Sequence, residues 1–209
     1  MGISVQNIGN NFTFNSPYVT NSEKYSSSYS NVVEIGRSNS DDTQKTGSIT
    51  PKGTSDISIL AKAPSPKVKI QGKIKNAKIV VNLSKNVLYF YDDNGNPLCA
   101  YLISSGKSST PTSTGVRRVS HVETYPYNTA PKSSKRRRSP GAYGPKIIIL
   151  DILDPKTGEI SPIGEFIHGN NAPADLGKYV SHGCMRMDNE VIKKLSGLVK
   201  RGDIVNIIK

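Results

Sequence analysis

Two cysteines in 209 residues are too few for a disulfide framework, so no redox compartment is readable from them. No apolar run approaches the roughly 18 residues that a membrane span requires. The first thirty residues hold no lysine or arginine before Lys24 and no apolar stretch of the kind that a secretory leader needs. Met1-Gly2 opens like an acylation site, but Gln6 stands where serine or threonine is required. No internal repeat is visible. Acid is scarce as well: 16 Asp and Glu face 28 Lys and Arg, a net charge of +12.

That charge is unevenly placed. Residues 1–66 hold 13 Ser and 7 Asn, with 5 basic and 5 acidic side chains, and show no hydrophobic periodicity. Such a composition cannot bury enough apolar surface to offset the entropy of ordering it, so a disordered tail is expected here. Tyr18, Tyr25 and Tyr29, spaced among serines, are expected to be unstructured with the rest, contacts with a partner being the alternative reading. Pro64-Ser65-Pro66 marks the boundary, and the whole net charge falls on residues 67–209, where 23 basic side chains face 11 acidic ones. A basic domain favours anionic partners, whether they carry carboxylates or phosphates, nucleic acid included.

Within residues 67–209 the pattern is mostly β. Lys78 to Tyr91 reads as two strands around a polar turn at Ser84-Lys85-Asn86. Asp92-Asp93-Asn94-Gly95 is a hairpin turn, and Pro97 to Ser104 a third strand, placing Cys99 in an apolar run as a structural residue. Lys146 to Asp154 is a buried strand, followed by a turn at Pro155 to Gly158 and a strand from Glu159 to His168. Apolar residues at 191, 192, 195, 198 and 199 have helical spacing, so a helix is expected over 189–200, capped by Asp188 or Asn189 and ended by Gly202. Asp203 to Ile208 closes the set as a strand. The region 116–145, with Tyr143 and the run Lys135-Arg136-Arg137-Arg138, reads as a long loop, part of it a flap over the site. The tally fits a β-sandwich or barrel-like sheet with a C-terminal helix.

The chemistry concentrates between Phe166 and Asn189, FIHGNNAPADLGKYVSHGCMRMDN, which holds two of the three histidines and Cys184. A thiol becomes a useful nucleophile when an imidazole lies beside it. His182 is near Cys184 in sequence. His168 reaches it only if the intervening segment, rich in turn-formers from Asn170 to Gly177, folds back. No side chain at Gly169 can orient the imidazole, so a backbone carbonyl has to take the role that an acid fills in a serine triad. Gly183 leaves room for a substrate carbonyl against the amides of Gly183 and Cys184, a candidate oxyanion hole. His121, in Ser-His-Val-Glu, has no nameable partner.

His168-Gly169, the gap, and then Ser181-His182-Gly183-Cys184-Met185-Arg186-Met187 with Asn189 resemble the signature of the L,D-transpeptidase (YkuD-type) catalytic domain. Leu83-Ser84 before LYFY, Ser105-Gly106-Lys107 and the P-T-x-x-G of Pro111 to Gly115 resemble that domain's opening, so the likeness covers about residues 76–209. It implies Cys184 as nucleophile, His168 as base and the Gly169 carbonyl as the group orienting the base. His182, Arg186, Ser181 and Tyr143 are expected to shape the substrate pocket, and no cofactor or metal is called for. The implied substrate is a peptidoglycan tetrapeptide stem, cut before its terminal D-Ala, with another stem's amine as acceptor, and the implied place is the cell envelope. Water as acceptor would make an L,D-carboxypeptidase, and a protein acceptor would attach that protein to the wall.

Two rivals make different predictions. A zinc site of His168, His182 and Cys184 predicts sensitivity to chelators, but the sequence offers no second cysteine beside it and no paired-histidine spacing. A non-enzymatic binder of nucleic acid or anionic polymer predicts that Cys184→Ala leaves function intact and that affinity falls with salt. Dispersed basic residues and few aromatic stacking positions make nucleic acid the weaker partner.

Overall fold

The computed structural model describes residues 7–8, 11–12, 57–127, 141–170 and 172–209. The chain divides into two compact units, Met1–Thr46 and Gly47–Lys209. In the first, the described residues are two short antiparallel strands, β1 (Asn7–Ile8) and β2 (Asn11–Phe12).

The second unit is built on an eight-stranded sheet. Its strands are β5 (Ile79–Asn82), β6 (Val87–Tyr91), β7 (Pro97–Leu102), β9 (Gly115–Thr124), β10 (Lys146–Leu153), β11 (Ile160–His168), β13 (Met185–Arg186) and β14 (Ile204–Ile208). They lie side by side in the order β13, β11, β10, β9, β14, β5, β6, β7. The two edges come together: Ser104, just past β7, exchanges backbone hydrogen bonds of 2.8 and 2.9 Å with Arg186 on β13. The sheet is therefore curled into a barrel-like form, and pairing its edges removes exposed backbone groups. A short parallel pair, β8 (Ser105–Gly106) with β12 (Tyr179–Ser181), continues from the join.

Alternation along β5 and β6 is lost because both faces of these strands are covered. Ile79, Val81, Leu88 and Phe90 enter one core, while Val80, Tyr89 and Tyr91 enter a second. The first core packs against the helix α2 (Asn189–Leu198), whose Ile192 and Leu195 are fully buried. Truncating such a residue to alanine typically costs about 2–5 kcal/mol. The second is covered by the hairpin β3 (Lys67–Ile70) and β4 (Lys73–Asn76), through Val68 and Ile70, and by Ile59 and Leu60 of α1 (Ile57–Leu60). Cys99 lies on β7 opposite Phe90, partly exposed, and burial raises its thiol pKa.

Several expectations shift. The segment 116–145 is not one loop: its first part is β9, a ten-residue central strand paired with β10 and β14. Arg117, Arg118 and Glu123 hid it, because charged residues are poor strand markers. Arg117 is buried because its charge is paired with Glu165 and its guanidinium also donates to Val116 and Ser113. Residues 128–140, with the arginine run, lie outside the described residues, as does most of the span expected as a tail. The end of that span packs on the second core through Ile59, Leu60 and Ala63, and Tyr91 Oη donates to the Pro64 carbonyl at 2.5 Å. Helix α2 stops at Leu198, short of residue 200, since Val199 is already extended. Asp188 is its cap, accepting from the amides of Glu190 and Val191 at 2.8 and 3.1 Å. Among the described residues no helix is long and apolar enough to cross a membrane.

Candidate active site

Strands β11 and β13 run parallel with Ile167 opposite Met185 and His168 opposite Arg186. Ile167 and Met185 are fully buried in the first core. Since successive strand residues point to opposite faces, Phe166, His168 and Arg186 share the other face, and Cys184, just before β13, has its thiol bonded to the Phe166 backbone. The β11–β13 pairing thus brings together segments sixteen residues apart in sequence. The fold-back expected between them is present: Asn170 bonds Ala172 through both ends of its amide, Pro173–Asp175 form a 3-10 turn, and the Gly177 amide donates to Ile103.

His168 is 2% exposed, and its Nδ1 lies 2.6 Å from the Gly169 carbonyl. A carbonyl only accepts, so Nδ1 carries the hydrogen and Nε2 is left as the basic nitrogen. Burial, helped by the nearby Arg186 charge and opposed by the Gly169 bond, holds the imidazole pKa down at about 3. Burial also pushes the Cys184 thiol up, and the Glu165 carboxylate adds to this; a backbone bond with Phe166 and the Arg186 charge work the other way. Both shifts favour the uncharged forms, thiol and neutral imidazole.

The loop before β10 packs on His168. Tyr143 meets the His168 ring edge-on at 4.6 Å between centroids and the Phe166 ring at 6.2 Å. Behind it Gly144 and Gly169 pack back to back under the Asn189 side chain. A methyl group on either glycine would fall 2.3 Å from Asn189 Oδ1. That oxygen also accepts the Asn170 amide at 2.9 Å. Asn189 thus serves the loop behind the histidine, while Asp188 caps the helix.

The turn that carries the cysteine is held from inside. Ser181, 1% exposed, donates its hydroxyl to the Cys184 carbonyl at 2.6 Å and accepts the Gly183 amide at 3.1 Å. Two expectations change here. Ser181 is committed to the turn instead of an open pocket, and the Gly183 amide, expected in the oxyanion hole, already has an acceptor. Gly183 itself has φ of +114°, a conformation that favours glycine. His182 is exposed on the rim of the turn. Among the described residues no group of three or more His, Cys, Asp or Glu side chains is placed to hold a metal ion, so the zinc alternative lacks a donor set. His121 sits on β9, half exposed, 3.3 Å from Glu123.

Against this geometry, the family model of the L,D-transpeptidase catalytic domain (YkuD) matches residues 76–207. The chain belongs to the L,D-transpeptidase family. Two Escherichia coli (strain K12) proteins are similar to it. The probable L,D-transpeptidase YcfS is 30% identical over 138 residues, and the probable L,D-transpeptidase ErfK/SrfK is 31% identical over 145. Each match covers 62% of this chain but 43% of the relative, so the chain spans less than half the length of either. The solution structure of the Enterococcus faecium L,D-transpeptidase catalytic domain is 24% identical, with a TM-score of 0.43, over 66% of this chain and all of that one. The L,D-transpeptidase match includes every residue just described around Cys184 and His168.

Sequence reasoning missed Thr112, whose hydroxyl donates to the Gly183 carbonyl at 2.7 Å, the Glu165–Arg117 pair, and the loop-facing role of Asn189. Thr112 lay inside a motif quoted only for its likeness. Glu165 and Arg117 are 48 positions apart, and no sequence pattern links them.

Proposed function

We propose that this domain is a cysteine acyltransferase acting on peptidoglycan stem peptides in the cell envelope. The observation that supports the reading is the pairing of β11 with β13, which sets His168, with Nδ1 bonded to the Gly169 carbonyl, opposite Arg186, while the Cys184 thiol just before β13 takes a backbone bond at Phe166. Cys184 Sγ gives its proton to His168 Nε2 as it attacks the carbonyl before the terminal D-Ala. The S–C bond forms, the C–N bond breaks, and the imidazolium returns the proton to the departing D-Ala amine. An acceptor amine then attacks the thioester; its proton passes to His168 and on to the thiolate as the S–C bond breaks. The Cys184 amide supports the oxyanion in both halves. Arg186, partly exposed and close enough to shift both reacting groups, pairs with a substrate carboxylate. Tyr143 walls the pocket at the base, and His182 borders it.

A tetrapeptide stem offered with a second stem as amine donor tests this by mass spectrometry of the products. The expected result is loss of one D-Ala with a new amide cross-link, abolished in Cys184→Ala. Release of D-Ala with a free tripeptide and no cross-link would assign water as the acceptor. Turnover that survives in Cys184→Ala would remove the cysteine from the mechanism.

A further inference from the structure

The loop Pro111 to Gly115 touches the turn that carries Cys184. Thr112, 6% exposed, donates its hydroxyl to the Gly183 carbonyl at 2.7 Å and accepts the Gly106 amide at 2.9 Å. Gly106 fits beneath this loop only without a side chain, since a methyl there would fall 2.3 Å from the Thr110 carbonyl. Thr110 Oγ1 and the Lys107 amide both donate to the Ser181 carbonyl, at 3.2 and 3.0 Å. The loop is in turn tied to β11. Ser113 donates from its amide and its hydroxyl to Glu165 Oε1, at 3.2 and 2.5 Å. Glu165 Oε2 accepts from Arg117 Nε and Nη2, both at 3.3 Å, and Arg117 Nη2 also donates to Ser113 Oγ at 2.8 Å. Both carboxylate oxygens are thus occupied, and the Arg117 and Glu165 side chains are 5% and 13% exposed.

The Gly183 carbonyl and the Cys184 amide belong to one planar peptide unit, in which C=O and N–H point in opposite directions. Whatever holds that carbonyl therefore aims that amide. We propose that Thr112, clamped through Ser113 by the Glu165–Arg117 pair, is a positioning residue that aims the Cys184 N–H at the developing oxyanion. The inference rests on the reading of Cys184 as the acylated nucleophile. It also accounts for the P-T-x-x-G motif. Thr112 holds the peptide plane and Ser113 takes the clamp. Gly115, at φ +123°, adopts a turn conformation that side chains resist, with Arg117 Nη1 3.1 Å from where its methyl would lie.

Two reactions of the same thiol separate positioning from folding. Acylation by a carbapenem passes through an oxyanion; alkylation by iodoacetamide does not. Thr112→Val, nearly isosteric, is expected to slow carbapenem acylation by about 10- to 100-fold, below the full loss of an oxyanion donor, with iodoacetamide alkylation within about threefold of the wild type. Thr112→Ser, which keeps the hydroxyl, is expected to restore acylation. Glu165→Ala is expected to slow acylation without slowing alkylation, because removing its charge favours the thiolate. Loss of both reactions together in Thr112→Val, or undiminished acylation in Thr112→Val and Glu165→Ala, overturns the proposal. A wild type that is acylated by the carbapenem yet transfers no stem peptide would sink the proposed substrate and leave this inference standing.

Discussion

A methyl group added at Gly169 would lie 2.3 Å from Asn189 Oδ1 and 2.9 Å from both Gly144 Cα and Pro145 Cδ, contacts that real side chains do not make. Something in Gly169→Ala must move. Overpacking of this kind costs roughly 1–3 kcal/mol, and displacing Asn189 also loosens its bond to the Asn170 amide, about 1 kcal/mol more. For a unit of this size, a loss of roughly 2–4 kcal/mol lowers Tm by about 5–15 °C. The functional cost is larger in proportion, because the carbonyl that fixes the His168 tautomer belongs to the residue being pushed. A shift of about 1 Å in a catalytic group can cost about 100-fold. Gly197→Ala is the internal control: on α2, with no atom within 4 Å of its added methyl, it should be neutral or stabilising by up to about 1 kcal/mol. Thermal unfolding and carbapenem acylation rates of the two variants provide the comparison. If Gly169→Ala keeps the wild-type Tm and acylation rate, the close packing of Gly144, Gly169 and Asn189 is not what orients the base.

Two further outcomes follow from charge and capping. The folded His168 pKa of about 3 lies below its ordinary 6.5, so the unfolded chain binds the extra proton first as pH falls. Its contribution is intact above about pH 6.5 and is lost on acidification toward pH 3, at up to about 1.4 kcal/mol per pH unit. Denaturant titrations of wild type and His168→Leu should differ by that slope, and parallel pH profiles would show that the imidazole is not buried neutral. Asp188→Ala removes the cap from α2 and should cost about 1 kcal/mol in chemical denaturation; no change would mean that another group satisfies the Glu190 and Val191 amides.

Much of the fold was legible because burial on both faces leaves continuous apolar runs, as in IVVN and VLYFY, and because Asp92 to Gly95 and Pro155 to Gly158 use turn residues. The helix followed from its spacing, with an end two residues early because Val199 extends toward the Lys200–Asp203 turn. Strand β9 was hidden because its buried charges are compensated across 48 residues of sequence, a pairing that no local pattern encodes. At the site, the cysteine, both histidines and Gly169 stood out by residue type. The uses of Ser181 and the Gly183 amide did not, since a hydroxyl that reaches back into its own turn looks the same in sequence as one that faces a substrate. Asn189 was legible as a candidate cap. Its actual surroundings, the Asn170 amide that it accepts and the backbones of Gly144 and Gly169 packed beneath it, appear only once the chain has folded.

The central claim, that Cys184 is acylated with His168 as its base, is met most directly by intact-mass spectrometry after incubation with a carbapenem. The wild type should gain one adduct, Cys184→Ala none, and His168→Ala the same adduct much more slowly. An adduct that persists in Cys184→Ala, or forms at the wild-type rate in His168→Ala, would contradict the account.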